Sequence, residues 1–241
     1  MRRFTPKLFP YYGAKMRLAP RYPEPRHHRI VEPFAGSASY SLRYADRDVT
    51  LVERNPIVAA VLRYLVEATP EKILALPLLP ENGGVIADLG LSDAEHDLIG
   101  FWSTTACDHP ARKPTPWCTD PRYSRRPQFW NTAGRERLAR TVEMIHHWRV
   151  IEGDYTEAPD VEATWFVDPP YSGRAGTHYR YGSDSLDYRQ LREWCVGRKG
   201  QTIVCEGDGA DWLPFVPVGG TSAGTVRKGL ATQERVWLDT L

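Results

Sequence analysis

The chain has 241 residues, 41% of them hydrophobic and eight of them tryptophan, which allows a buried core of one α/β domain with an insertion, or of one and a half small domains. The formal net charge is only +1, so overall charge selects no class of partner, and four cysteines without paired spacing argue against a disulfide framework and a zinc-type metal site. No apolar run reaches 18 residues and no apolar segment follows the N-terminal Met-Arg-Arg, so we expect a cytoplasmic protein that neither spans nor crosses a membrane.

The first informative segment is Phe9-Pro-Tyr-Tyr-Gly-Ala-Lys15. Gly13 permits a tight turn with a close approach of the backbone to a ligand, and Lys15 supplies a cation just beyond it. Taken alone, the segment is more typical of a plain N-terminal turn than of a site.

A strand, a loop of small residues and a helix follow. Ile30 and Val31 predict a short strand with Glu32 at its end, residues 34–39 form the loop, and residues 40–44 begin a helix. This is the first unit of a nucleotide-binding βαβ fold, in which small residues let backbone N–H groups approach the ligand. The loop lacks the GxGxxG pattern, which argues against a dinucleotide.

The next strand, residues 49–53, ends in Glu53, and an apolar face carried by Ile57, Val61 and Leu65 predicts a helix after it. Glu53 follows the first loop by the spacing at which such folds place an acid on the ribose hydroxyls. The alternative is a solvated acid at the end of a strand.

The middle of the chain concentrates positive charge. Residues 109–149 contain nine Arg or Lys against three acids, interleaved with Trp117, Tyr123, Phe129 and Trp130. This mixture is typical of a surface that binds phosphates and stacks on bases. The alternative is a solvated basic helix whose aromatic residues pack into the core.

Two helix signals lie between residues 67 and 148. A helix is expected to begin at Ser92, capped with Glu95 three residues later. Near the end of the region, Leu138, Val142, Ile145 and Trp148 follow a helical period, and we interpret them as core residues.

The segment Trp165-Phe-Val-Asp-Pro-Pro-Tyr171 predicts the end of a buried strand, followed directly by a carboxylate, two prolines and an aromatic ring. The two prolines force an extended path, so the carbonyls of Asp168 and Pro169 are rigid acceptors, and Tyr171 follows as a flat ring. A carboxylate, a fixed carbonyl and an aromatic face suit an exocyclic amine on a planar base. The alternative is an ordinary turn after a strand.

The C-terminal part predicts further sheet elements. Residues 150–154 form a strand ending in Asp154, residues 187–194 a helix, and residues 201–206 another strand. Residues 225–229 and 234–238 alternate with period two and predict an antiparallel hairpin. Residues 172–185, which follow the Asp-Pro-Pro-Tyr segment, look like a mobile loop over the site, in which Tyr179 and Tyr181 are placed to contact DNA or a cofactor.

These motifs together resemble the Dam-like DNA adenine-N6 methyltransferases, whose WxGGK-like, EPFxGxG-like and DPPY motifs occur in this order. Here they read Tyr11-Tyr-Gly-Ala-Lys15, Glu32-Pro-Phe-Ala-Gly-Ser-Ala38 and Asp168-Pro-Pro-Tyr171. Tyr11 replaces the usual Trp, and Ala14 and Ala38 replace glycines, which is tolerated if φ is negative there. The Glu206-Gly-Asp sequence departs from the family's Ser-Asn near the end of its strand.

The resemblance implies an α/β fold: a Rossmann-like S-adenosylmethionine methyltransferase sheet with helices on both faces and a C-terminal antiparallel hairpin, interrupted by a mostly helical and loop insertion. Residues 1–66 and 149–241 would form the catalytic domain, and residues 67–148 the target-recognition insertion. The expected partner is double-stranded DNA, with a cognate restriction enzyme possible, in a monomer or weak dimer of a bacterial or phage-infected cell.

The resemblance also implies three sets of site residues and no metal. The catalytic residues are Asp168, Pro169, Pro170 and Tyr171. Residues expected to bind S-adenosylmethionine, and its product S-adenosylhomocysteine, are Tyr11, Gly13, Lys15, Glu32, Phe34, Gly36, Ser37, Ser39, Glu53, Asn55, Asp154, Tyr155 and Asp168, with Asp154 receiving the adenine amino group. DNA-binding residues are Arg112, Lys113, Arg122, Tyr123, Arg125, Arg126 and Trp130.

In this interpretation, Asp168 and the Pro169 carbonyl accept both N6 hydrogens of a flipped adenine, and Tyr171 stacks on the base. The motif order favours adenine. Because the tetrapeptide recognises an amine without identifying its ring, cytosine N4 or an RNA base are alternatives, as is a catalytically idle DNA-binding relative. The recognition sequence does not follow from the chain.

Overall fold

The computed structural model describes residues 6–79, 84–104, 107–120, 122, 124, 126, 128–222 and 232–239. Within them the protein is α/β, with helices packed on a mixed sheet of seven strands. The strands are β1 (Arg29–Glu32), β2 (Asp48–Glu53), β3 (Arg149–Glu152), β4 (Ala163–Val167), β5 (Gly200–Gly207), β6 (Val216–Ser222) and β7 (Thr232–Asp239).

The strand order is β3-β2-β1-β4-β5-β7-β6, and β7 runs antiparallel to both of its neighbours. The first five strands in this order are parallel. The chain moves outward from β1 through β2 to β3 and then returns to the other side of β1, so the order reverses between β1 and β4. In open α/β sheets, ligands bind outside the carboxyl ends of the strands at such a reversal.

The helices are α1 (Pro56–Glu67), α2 (Pro70–Ala75), α3 (Asp93–Trp102), α4 (Pro116–Thr119), α5 (Thr132–Val142) and α6 (Tyr188–Val196). The predicted cap of α3 is confirmed, because the Glu95 carboxylate accepts from the backbone N–H and the hydroxyl of Ser92 at 2.9 and 2.7 Å. The helix predicted from residue 40 is only a 3₁₀ turn, Ser41–Tyr44, since the connection to β2 leaves little room for an α-helix.

Apolar residues cover both faces of the sheet. Ile30, Leu51 and Phe166 belong to one buried cluster, whereas their strand neighbours, such as Val31 and Trp165, belong to another. This division follows from the alternation of side chains along a strand. The second cluster also contains Leu191 and Cys195 of α6.

The middle segment packs into the first of these clusters. Phe101, Trp102 and Leu138 are fully buried in it, and the Trp102 indole N–H donates to the Leu8 carbonyl at 2.9 Å. The predicted core positions Leu138, Val142, Ile145 and Trp148 are all buried, as expected. Residues 67–148 therefore share a hydrophobic core with the sheet.

A C-terminal antiparallel hairpin is present, and its described strands are β6 and β7. Residues 232–239 form β7 as expected, and their partner is β6, which begins at Val216. Residues 225–229, predicted to form that partner, lie outside the described residues.

Candidate functional site

A cleft opens at the carboxyl ends of β1, β2 and β4, where the strand order reverses. The space between its walls, counted together with the open solvent at its mouth, is about 870 Å³. All thirteen residues predicted to bind the cofactor line this cleft, together with the predicted catalytic residue Pro170. The parallel strands bring these residues together from positions between 11 and 170 in the sequence.

The loop after β1 is fastened to Glu53. One carboxylate oxygen of Glu53 accepts from the Gly36 N–H at 2.9 Å, and the other accepts from the Asn55 N–H at 2.8 Å. Burial raises the pKa of Glu53, while these donors lower it. Because each oxygen has two lone pairs, the oriented carboxylate retains acceptor capacity for ligand hydroxyls.

The loop also contains an unusual backbone conformation. Gly36 has φ +49° and Ala38 has φ +50°, the only described residue other than glycine with a positive φ. The expectation that alanine replaces glycine at position 38 with a negative φ is therefore wrong. An L-residue in this region costs roughly 1–2 kcal/mol, so the loop stores strain at Ala38.

Glu32, at the end of β1, is 2% exposed and accepts from the Ser41 N–H at 2.7 Å. Burial raises its pKa to about 8, although the Ser41 donors favour the charged form. The buried position thus favours a neutral carboxyl group, and a cationic ligand beside it would favour the carboxylate.

An aromatic pair forms another wall of the cleft. The rings of Phe34 and Tyr155 are stacked, with centroids 5.4 Å apart and planes inclined by 22°. The adjacent Asp154 accepts from the backbone N–H of Thr156 at 3.3 Å and lies 3.7 Å from Arg54. A flat apolar wall beside an acceptor suits a planar ring bearing an amino group.

Asp168 follows β4 directly, and its Oδ1 lies 2.7 Å from Nζ of Lys15. Burial raises the pKa of Asp168 to about 6, and the Lys15 charge limits that rise. Lys15 is 5% exposed; burial alone would lower its pKa, but Asp168 and Glu234 raise it above its ordinary value. A permanent cation therefore holds one oxygen of Asp168.

Tyr171 and Pro169 do not line the cleft in the described structure. Both are buried, Tyr171 with 8% exposure, and the Tyr171 hydroxyl donates to Glu234 Oε1 at 2.5 Å. The ammonium group of Lys15 lies 4.7 Å from the centre of the Tyr171 ring. Stacking of this ring on a base would require the base to enter beyond the present cleft wall.

The backbone after β4 is held from two further elements. The Pro170 carbonyl accepts from the Tyr188 hydroxyl of α6 at 2.6 Å. The Ser172 N–H donates to the carboxylate of Glu206, at the end of β5, at 3.1 and 3.2 Å. Glu206 thus has a specific structural role in the sequence that departs from the family pattern.

The sequence reasoning missed Glu234. Its side chain is fully buried, and its Oε1 also accepts from the Tyr22 hydroxyl at 2.5 Å. Glu234 and Val236 are both buried on β7, so a glutamate in phase with the apolar face was a usable signal.

Asp168, Cys205 and Glu234 place three potential metal-ligand atoms within 4.8 Å of one another. The ammonium group of Lys15 lies 2.7 Å from Asp168 and 3.9 Å from Glu234. A metal ion at this place would have to displace that ammonium group.

The mouth of the cleft is aromatic and basic. The Tyr179 hydroxyl donates to the Tyr12 carbonyl at 3.4 Å, and Arg54 lies 4.9 Å from the centre of the Tyr181 ring. The Tyr12 N–H donates to the Cys107 carbonyl at 3.2 Å, which joins the middle segment to this edge. The loop after Tyr171 thus covers the cleft, as its composition predicts.

The predicted DNA-binding residues occupy different environments. Arg112, Lys113, Arg122 and Arg126 are exposed, and Arg122 pairs with Asp120 at 2.7 Å. Tyr123 and Arg125 lie outside the described residues. Trp130 is only 4% exposed, and its indole N–H donates to the Pro77 carbonyl at 2.8 Å. The structure therefore places Trp130 in the core and not on a DNA-facing surface, because a large apolar ring gains more by burial.

Comparison of the chain with protein-family models gave no match, and comparison with curated proteins gave none either. In the part of the chain that the structure describes, no helix combines the length and apolarity needed to cross a membrane.

Proposed function

We propose that this protein is an S-adenosylmethionine-dependent DNA methyltransferase that transfers a methyl group to N6 of a flipped adenine in double-stranded DNA. The observation that carries the proposal is the meeting of the thirteen predicted cofactor residues, Asp168 among them, in one cleft at the reversal of strand order. The sequence motifs identified these thirteen residues, and the fold of the sheet brings them together in the cleft.

The charges of the cleft support a cationic ligand. Its lining contains four acidic side chains, Glu32, Glu53, Asp154 and Asp168, against Lys15, Arg54 and Arg180. Burial raises the pKa of Glu32 to about 8, so the cleft gains its one net negative charge when a cationic ligand favours release of the Glu32 proton. S-Adenosylmethionine carries one net positive charge, and the product S-adenosylhomocysteine carries none. The cleft therefore favours the substrate cofactor over the product by electrostatics.

The lining also offers a matching partner for each part of the cofactor. Phe34, Tyr155 and Asp154 suit its adenine, and the oriented carboxylate of Glu53 suits the ribose hydroxyls. Gly36, which has no side chain, lines the cleft and would let the backbone approach the ligand closely. When bound, the cofactor supplies an electrophilic methyl group on sulfur.

Asp168 is the proposed acceptor for the amino group that is methylated. Its ionised carboxylate accepts a hydrogen bond from the N6–H group. This hydrogen bond localises the nitrogen lone pair and stabilises the positive charge that develops on nitrogen. Lys15 holds one oxygen of Asp168 and so orients the carboxylate. No metal ion and no covalent intermediate are needed for this transfer.

The sheet supports the finer fold assignment. An antiparallel β7 between β5 and β6 is the C-terminal hairpin expected of a methyltransferase sheet. The middle segment, residues 67–148, reaches the mouth of the cleft at Cys107, just before its basic part begins, which is consistent with its proposed role in target recognition. We propose that DNA binds across this segment and the mouth.

The test is transfer of labelled methyl from S-adenosylmethionine to duplex DNA of mixed sequence, followed by nucleoside analysis. We expect N6-methyladenine with the wild type and at least a hundredfold less with Asp168→Ala, because the acceptor for the amine is lost. Asp160→Ala, which removes an acid 66% exposed, is the matched control and should retain full activity. Label in N4-methylcytosine would show that the acceptor is cytosine and not adenine. If duplex DNA stays unlabelled, the same assay with RNA distinguishes an RNA methyltransferase from an idle relative, which would bind the cofactor without transferring methyl to either nucleic acid.

A further inference from the structure

The buried carboxylate of Glu234 lies behind the Asp-Pro-Pro-Tyr loop and outside the cleft lining. Its Oε1 accepts from the hydroxyls of both Tyr171 and Tyr22, each at 2.5 Å. Its Oε2 is buried without a hydrogen-bond partner among the described residues. A buried carboxylate is costly unless neighbouring donors and charges compensate it, so its retention here calls for a role.

Lys15 links this carboxylate to the proposed acceptor. Its ammonium group lies 2.7 Å from Asp168 and 3.9 Å from Glu234, and it faces the ring of Tyr171. One cation is thus shared by two carboxylates. Glu234 contacts, directly or through Lys15, the two functional side chains at the ends of the Asp-Pro-Pro-Tyr motif.

We propose that Glu234 is a positioning residue for methyl transfer, which fixes the Tyr171 ring by its hydrogen bond and sets the orientation and charge of Asp168 through Lys15. The inference rests on the proposed function for its catalytic meaning. A single buried side chain from β7 would thereby align the acceptor for the amine and the aromatic support of the base.

Several ionisable groups face Asp168, and a change in the protonation of any of them could also shift its titration. They are Lys15 and Tyr22 from the N-terminal segment, Glu32 of β1, Tyr171 and Tyr179 of the following loop, Cys205 and Glu206 of β5, and Glu234 of β7. Burial raises the pKa of the tyrosines and of Cys205 above their ordinary values, so these groups stay neutral below pH 9. Burial raises the pKa of Glu206 as well and that of Glu32 to about 8, so Glu32 is largely protonated where Asp168 titrates.

The negative charge of Glu234 raises the pKa of Asp168, so its removal should lower it. Glu234→Gln keeps an acceptor for the tyrosine hydroxyls and removes the charge. We expect the acidic limb of the pH–kcat profile to move down by about one pH unit. Glu234→Asp keeps the charge but retracts the acceptor by one methylene, so its limb should stay in place while kcat falls about tenfold, with little change in affinity for S-adenosylhomocysteine.

Tyr171→Phe breaks the same hydrogen bond from the other side without touching the buried charge. It should lower kcat without moving the acidic limb, and it keeps the test decisive if a Glu234 variant fails to fold. Wild-type kcat in Tyr171→Phe, or an unmoved limb in a folded Glu234→Gln, would overturn the inference.

The titration of Asp168, followed by carbon NMR of labelled aspartate and assigned with Asp168→Asn, provides a readout without catalysis. We expect a lower midpoint in Glu234→Gln than in the wild type, and equal midpoints would contradict the coupling. An inactive wild type that still shows this shift would refute the proposed function but leave the coupling standing. An active wild type without the shift would refute only the role of Glu234.

Discussion

Each carboxyl group of the cleft has an individual environment. Glu53 accepts from two backbone N–H groups, Asp168 contacts the ammonium group of Lys15, and Glu32 accepts from the backbone N–H of Ser41. Burial raises the pKa of all three, but the compensating donors differ. The residues should therefore respond differently to pH.

Asp168 should control the acidic limb of catalysis. Its raised pKa of about 6 means that the ionised carboxylate, which accepts a hydrogen bond from the amine in the proposed mechanism, is lost as pH falls below that value. We expect kcat at saturating cofactor to fall about tenfold per pH unit well below pH 6. Initial rates between about pH 5 and 9 provide the measurement, and a flat profile between 5 and 7 would exclude this role.

Glu32 should make the ligand-free protein less stable as pH rises. The folded state holds a proton up to a pKa of about 8, whereas the unfolded chain releases it near 4.5, so stability falls between these values. Glu32→Gln should remove that slope, which corresponds to about 1.4 kcal/mol per unit of pKa difference. Denaturation of both proteins at several pH values tests this, and parallel stability curves would contradict it.

At the scale of elements, the cleft is closed by loops held against the sheet. The loop after β4 is fastened by α6 through Tyr188 and by β5 through Glu206. At the mouth, Tyr179 covers Gly13, where an added Cβ would lie 2.0 Å from the Tyr179 hydroxyl oxygen. The position of Tyr179 over the turn therefore requires a residue without a side chain at position 13.

Gly13→Ala should displace Tyr179 and weaken cofactor binding at least tenfold. Gly90→Ala is a matched control, because Gly90 has φ +64°, close to the +74° of Gly13, but a Cβ there would meet no atom within 4 Å. Both variants should lose about 1 kcal/mol of stability from backbone strain. Calorimetric titration with S-adenosylhomocysteine separates them, and equal affinities would show that Tyr179 yields without consequence.

At the scale of the whole molecule, the middle segment joins two roles. Its apolar residues pack in the same cluster as the sheet, while Arg112 and Lys113 are exposed. Removing the segment would therefore unfold the core, so its proposed contact with DNA must be tested by surface changes.

The double variant Arg112→Ala/Lys113→Ala should bind duplex DNA more weakly. If both side chains contact phosphates, the slope of log affinity against log salt concentration should decrease by about two. Arg189→Ala/Arg192→Ala on α6, which removes the same charge outside the segment, is the control. Equal slopes for the two double variants would argue against a DNA surface at residues 112–113.

The strand tips could be predicted from the sequence because their signals are local. Glu32, Glu53 and Asp168 each follow an apolar run, and parallel strands necessarily bring such positions to one edge of the sheet. The cap of α3 could be predicted for the same reason, since a cap involves residues only a few positions apart.

Other features depend on contacts that no local pattern encodes. The Tyr22–Glu234 hydrogen bond joins residues 212 positions apart, and burial of Trp130 depends on the Pro77 carbonyl 53 positions away. The positive φ at Ala38 likewise results from fitting the loop between β1 and Glu53. The sequence by itself determined which acids meet at the sheet edge, because strand periodicity and parallel pairing suffice for that. Only the tertiary structure decided how those acids are held, because their partners come from distant segments that packing alone brings together.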